Sequence, residues 1–462
     1  MSVSVGASGV GTGDLAQAWG GRVQQRLSAL NILFALIVAC SIFSELFLAY
    51  FPIGPYPIRN YLWAFGVLLF LSDHLSRPNF DQIRFGLVER TALVLLSLGL
   101  FASALGGWTE QIATLALRVL VIPFYIYKLV LRAAEADQRL IKRFCLVYVV
   151  LVAISASVAV LQFMNVDFAW RMRSWMPTSL DDQGSVLAIA LEERHRPMGM
   201  AYFPVSLGYQ VTWAFPLAWY VWISKSEFRK STRVIAGLLL VVVALGGLAS
   251  GTRSALLGLI VQIAFLGAHH SGKSKNFLRY SGALLLAMSI SVLGILIFQQ
   301  DRWALTDASA QGKLWLLYVG ILYAIENPLG QGFDWSGFTA FKLSILGSLG
   351  AISDQVIGEL EAFTPHNQFV NSAVMYGWTG LLMVVSFYWI LLRRLYHFAT
   401  DGIPQQDRYL AISLLGGFIG YIINSLFHNA GLFVGDPLGW YFVALAVAIH
   451  SKPRGKQPSA KV

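Results

Sequence analysis

Charge is what this chain lacks most. Only 13% of its 462 residues are Asp, Glu, Lys or Arg, against 56% that are hydrophobic. A water-soluble domain carries about a quarter charged residues, so that class is excluded. Cysteine is nearly missing too: the two present, Cys40 and Cys145, lie in or beside apolar runs. They leave no disulfide framework and no thiolate metal site, and both read as small buried residues. No repeat of fixed period is evident, and the only biased stretch is the Gly/Ser-rich segment from Met1 to about Gly21.

What fills the chain is a series of apolar runs of roughly 20 residues, the length that carries an α-helix across about 30 Å of hydrocarbon. Strands of a membrane barrel would be about half as long and would alternate polar with apolar. The expected architecture is therefore an all-α polytopic membrane protein. Spans are expected near 30–50, 58–73, 91–106, 112–131, 144–163, 203–223, 234–249, 254–268, 280–298, 367–392, 410–426 and 434–449. This makes about twelve transmembrane helices, with a large outer loop between the ninth and tenth.

The few charges then give the orientation. Basic residues gather at Arg77/Arg84/Arg90, at Lys128/Arg132/Arg139/Lys142/Arg143 and at Lys225/Arg229/Lys230/Arg233. They gather again at Lys273/Lys275/Arg279, at Arg393/Arg394/Arg408 and in the C-terminal tail. Each cluster falls on the same side as the N-terminus, and the opposite links, such as Gly106–Gln111 and Phe427–Pro437, are poor in charge. The positive-inside rule then sets both termini in the cytoplasm. The basic excess is a topology signal facing membrane lipids, with no nucleic-acid partner implied. Arg22 and Arg26 precede the first run without a small-residue cleavage motif close behind, so that run is expected to be kept as an anchor.

The segmentation that follows has a cytoplasmic tail over 1–29, spans over 30–163, an outer loop over 164–202 and spans over 203–298. A large outer loop over 299–365, spans over 366–449 and a basic cytoplasmic tail over 450–462 complete it. The large loop is too long for a simple turn and is expected to carry helices of its own. Gly312–Glu326 has the spacing of an amphipathic or surface-lying helix.

Some charged residues break the orientation rule. Arg194, Arg196, Arg253 and His366 all lie on the outer side. An outer arginine can anchor on lipid headgroups, or it can hold an anion through its planar, bidentate donors. Small residues beside Arg196 and Arg253 (Gly199, Ser250, Gly251, Ser254) leave room for the second use. His366 stands in TPHNQFV, where Thr364 could cap a helix, Pro365 could open it and His366 would sit in the first turn. A histidine there is either a hydrogen-bonding cap or a neutral base able to take a proton. His195 and His428 are the other outer histidines. Glu45 and Arg118 interrupt their own apolar runs, either as a mutual ion pair or with Arg118 lining a cavity. Glu359 and Glu361 form the only close acidic pair suggestive of a cation clamp, and solvated loop acids are the default for such residues.

RPMGMAYFPVSLGYQ, SGTRSALLGLIV, ENPLGQGFDWSGF and PHNQFVNSAVMYGWTGLL follow one another in this order between Arg194 and Ile449. Together they resemble the O-antigen ligase and O-antigen polymerase family of bacterial inner membranes. That resemblance implies a GT-C-like glycosyltransferase, without cofactor or metal, whose active site faces the periplasm. The donor would be a glycan on undecaprenyl diphosphate. The acceptor would be a sugar hydroxyl, on lipid A-core for a ligase or on a growing glycan for a polymerase. By position His366 would be the base that deprotonates the acceptor. Arg196 and Arg253 would hold the diphosphate, supported by Arg118, Arg194 and Asn367. Ligation to lipid A-core is the first expectation and an O-antigen or exopolysaccharide polymerase the second. A membrane anion transporter is the reading from another class, although here the notable charges gather at the outer boundary and not at the bilayer midplane.

Overall fold

The computed structural model describes residues 86–107, 109–136, 139–174, 197–201, 204–271, 308–348, 364–400, 405–429 and 431–450, with 52–53 and 56–57. The expected spans near 30–50, 58–73 and 280–298 lie outside these residues, as do Glu45, Arg194, His195, Arg196, Glu359 and Glu361.

Among the described residues the chain is helical apart from a two-residue ladder, in which β1 (Pro52–Ile53) pairs antiparallel with β2 (Tyr56–Pro57). The helices are α1 (Leu87–Gly106), α2 (Glu110–Ala116), α3 (Ile122–Ala136), α4 (Arg139–Phe163) and the short α5 (Asp167–Ser174). Then come α6 (Pro204–Ile223), α7 (Lys230–Ala249), α8 (Arg253–Ser271), α9 (Ala308–Glu326) and α10 (Ser336–Ser348). The last are α11 (Gln368–Thr400), α12 (Gln405–Ser425) and α13 (Pro437–His450). Four of them, α1, α4, α7 and α11, are long and apolar enough to cross a membrane. Every expected span within the described residues is a helix. Two are interrupted: a π-helical turn, Leu117–Val121, joins α2 to α3 and contains Arg118, and α11 is broken at Gly377.

Helix α6 is the axis of the bundle, buried along most of its length between α4, α7, α8 and α12. Its Trp213 lies flat on Phe442 of α13, with centroids 3.9 Å apart, and meets Phe418 of α12 edge-on. Small residues let the backbones close in: Gly208 of α6 faces Ala255 of α8, and Gly258 of α8 faces Gly420 of α12. Close approach of this kind gives dispersion contacts that large side chains would prevent. Gln262 of α8 is fully buried there and donates to the carbonyls of Thr212 and Gly416, tying the same helices together.

The bundle has two chemically different ends. At one, Lys128 pairs with the buried Glu89 and Lys142 pairs with Glu227. These lysines belong to the basic clusters read from the sequence. At the other end the C-termini of α4 and α12 meet the N-termini of α6, α8 and α11, and contacts between them are polar.

Two joints pin connecting segments to this second end. In the first, the side chain of Gln162 near the end of α4 uses its whole bonding capacity. Its Oε1 accepts from the amides of Met198 and Gly199, and its Nε2 donates to the carbonyls of Ala169 and Gly199. Gly199 has a left-handed φ of 59°, and a Cβ there would overlap the Ser155 carbonyl.

The second joint is made by backbone. Helix α11 breaks at Gly377, where φ is 69° and ψ is −174°. The break frees carbonyls that an unbroken helix would use, and ENPLGQG takes them. Gln331 N–H donates to Val374 O, Gly332 N–H donates to Met375 O, and Trp378 N–H donates to Pro328 O. Phe333 N–H then donates to Ser103 Oγ of α1 at 2.8 Å. Ser103 is three residues from the end of α1, so this loop reaches about one helical turn below it.

The connection expected over 299–365 does carry helices, α9 and α10. The amphipathic half of the expectation for its first helix fails. Leu316, Val319, Tyr323 and Ala324 are buried, yet Leu314, Tyr318, Ile321 and Ile325 on the opposite face are exposed and apolar as well. The helix is apolar all round, so it is not amphipathic.

Candidate functional site

The site starts from a helix cap. Asn367 Oδ1 accepts from the amides of Phe369 and Val370, the second and third residues of α11, and so closes that helix's N-terminus. This corrects the expectation that Thr364 caps and His366 lies in the first turn. Asparagine at 367 bonds two of the orphan amides itself, so the helix begins after it and His366 is held just outside. The Nδ2 of Asn367 donates to Leu426 O, and Asn371 Nδ2 donates to the carbonyls of Pro365 and Asn429. The loop after α12 is thereby bonded to the segment that carries His366.

His366 is half-buried. Its Nδ1 lies 3.2 Å from the carbonyl of Thr364. A carbonyl only accepts, so the proton is on Nδ1 and the lone pair is on Nε2. Burial pulls its pKa down from the ordinary 6.5 to about 4, with help from the Lys313 ammonium of α9 and against the Thr364 hydrogen bond. At neutral pH it is an uncharged imidazole. The expected helix dipole is not the cause; desolvation is.

His428 lies beside it, with ring centroids 6.5 Å apart. It is only 4% exposed, and its Nε2 is 2.7 Å from Ser254 Oγ. Ser254 in turn donates to Asn424 Oδ1 at 2.5 Å. Ser254 is the second residue of α8, and Arg253 is the first. Arg253 therefore stands at a helix N-terminus, where orphan amides and the macrodipole favour an anion. Two hydrogen-bond donors buried at this end, Thr252 Oγ1 before the helix and Asn424 Nδ2, have no partner among the described residues.

Of the residues singled out in the sequence, Arg253, His366 and Asn367 are gathered here by the Ser425–Asn429 segment. Arg118 sits in the π-helical turn. Arg194 and Arg196 lie outside the described residues, but the segment following them is the one held by Gln162. Sequence reading missed Asn424, Thr252 and Lys313, took Ser254 only as a small neighbour of Arg253, and ranked His428 as a minor outer histidine. The available signal was that SGTRS and LFHNA each pair a small or polar residue with a charged or titratable one on the same side.

No protein-family model matches this chain, and no curated protein does.

Proposed function

We propose that the protein is an inverting glycosyltransferase of the O-antigen ligase and polymerase kind. It would be embedded in a bacterial inner membrane by about twelve helices in a GT-C-like arrangement, with this site facing the periplasm. The donor is a glycan on undecaprenyl diphosphate, and the acceptor is a sugar hydroxyl, first of all on lipid A-core. The observation that carries this reading is a neutral histidine with its lone pair on Nε2, beside a helix start that bears Arg253, with two buried donors there that have no partner among the described residues. An unpaired buried donor costs about 1–3 kcal/mol. A bound diphosphate supplies the acceptor oxygens that would offset that cost.

In the reaction, Nε2 of His366 takes the proton of the acceptor hydroxyl as its oxygen attacks the anomeric carbon. The bond from that carbon to the diphosphate oxygen breaks on the opposite face, so the configuration inverts. Arg253, together with Arg196, and the orphan amides of α8 stabilise the charge developing on the leaving diphosphate. An imidazole with a pKa of about 4 is a weak base. A nearby dianion raises it by roughly 1–3 units, so donor binding brings the base toward working strength. The break in α11 is a transporter-like feature among the described residues. Its freed groups are bonded to ENPLGQG, which favours the enzyme reading.

The test is transfer from a lipid-linked donor by the purified full-length protein, followed as a function of pH. The acid limb of kcat/KM should lie near pH 4 and that of kcat roughly 1–3 units higher. His366→Ala should lower transfer by about 10²–10⁴-fold while donor binding survives. An active His366→Ala enzyme, or one that fails only through lost donor binding, ends the assignment.

A further inference from the structure

The two histidines of the site are in opposite protonation patterns. Thr364 O can only accept, so His366 carries its proton on Nδ1. Ser254 has a single hydroxyl proton, and it goes to Asn424 Oδ1. The Nε2 of His428 must then be the donor across the 2.7 Å contact to Ser254 Oγ. His428 is thus committed at the nitrogen that His366 offers as a base, and it is buried where His366 is half-exposed.

We propose that His428 is a positioning residue: its Nε2–H holds Ser254, and through Ser254 it sets the first turn of α8, and with it Arg253, against the His366 segment. The chain His428–Ser254–Asn424 links the end of α12 to the start of α8 through side chains alone. The same loop reaches the His366 segment through Leu426 O and Asn429. One imidazole is therefore the bracket between the anion-binding helix start and the base. Tyr209 adds a second tie, donating to Ser425 Oγ at 3.2 Å with its ring 6.2 Å from that of His428. A group in this position acts on donor affinity and leaves proton transfer to its neighbour.

This inference rests on the proposed transferase reading, and the experiment separates the two. Full-length protein carrying His428→Ala, His428→Gln, Ser254→Ala or the double alanine change is assayed for donor KM and kcat. It is also titrated with inorganic pyrophosphate by calorimetry. His428→Ala and Ser254→Ala should each raise donor KM and weaken pyrophosphate roughly tenfold, with kcat changed by less than about threefold. His428→Gln, whose amide nitrogen can reach the same hydroxyl, should recover most of that loss. The double variant should be no worse than either single one, because both remove the same link. His366→Gln offers no recovery, since an amide is not a base, and it leaves pyrophosphate binding intact.

Wild-type donor KM and pyrophosphate affinity in both alanine variants would overturn the proposal. So would additive losses in the double variant, or a collapse of kcat at unchanged KM in His428→Ala, which would make His428 the base. Should His428→Ala not fold, Ser254→Ala and His428→Gln carry the same readouts. Pyrophosphate bound by the wild type and weakened in these variants, with no glycosyl transfer at all, would remove the proposed reaction and leave the positioning role standing. A wild type that neither transfers nor binds pyrophosphate removes both.

Discussion

The joint at Gln162 and the joint at Gly377 do the same task with different chemistry. Each fixes a connecting segment to the helix ends around the candidate site. At Gln162 one side chain serves four backbone bonds to residues 169, 198 and 199. At Gly377 two stretches of main chain bond each other directly, in the manner of paired strands, and no side chain takes part in those three bonds. A side-chain joint is undone by changing the side chain. A main-chain joint is indifferent to most substitutions and is undone only where a Cβ intrudes. The segment after Arg196 therefore depends on side-chain chemistry, that of Gln162 with Ser155 beside it, and the segment after α9 depends on a backbone shape.

The largest effect should come from Gly377→Ala. The φ of 69° with ψ near 180° is a region essentially restricted to glycine, and a Cβ would overlap the Pro328 carbonyl oxygen. The expected loss is about 3–5 kcal/mol, read as thermal unfolding of the solubilised protein. An unchanged melting temperature would mean that the break is not the constraint described. Gln162→Leu comes next, at about 2–4 kcal/mol, because it leaves the buried amides of Met198 and Gly199 without partners. Hydrogen exchange sharpens the comparison. Amides 198–199 should lose protection in Gln162→Leu while 331–333 keep theirs, and the reverse should hold when Gly377 is changed. Loss of protection at both sites in either variant would show one joint and not two. The smallest effect is Trp378→Phe, which removes the indole donor to Ala324 O and should cost about 0.5–1.5 kcal/mol. A larger loss would mean that this side chain shares the load assigned here to main chain.

Much of the scaffold is legible in the sequence, because long apolar runs and basic clusters are local signals. The runs at 91–106, 144–163, 203–223 and 234–249 become α1, α4, α6 and α7 with ends shifted by a few residues. Lys128 and Lys142 indeed lie at the end opposite His366. The candidate site is legible in part: Arg253 and His366 stand out in the sequence, and the segments that carry them lie at one end of the bundle. What stays hidden depends on partners far along the chain. Gly377 looks like any small residue in a membrane helix until residues 328–332 dock against it. His428 looks like a loop histidine until Ser254, 174 positions away, fills its Nε2. The start of α11 was misplaced for a local reason: Thr364 and Asn367 are both good caps, and only the bonds to Phe369 and Val370 decide between them.

The π-helical turn at Leu117–Val121 acts as a built-in insertion. A π turn holds one residue more than the α turn it replaces, and one residue corresponds to about 100° of rotation. The faces of α2 and α3 are therefore offset from what one continuous helix would give. Tyr127 and Val130, buried on α3, owe their inward direction to that extra residue, and Tyr127 meets Trp440 of α13 edge-on at 6.0 Å. Deleting a single position in this turn would leave a longer, more regular helix that turns the wrong side chains toward α13.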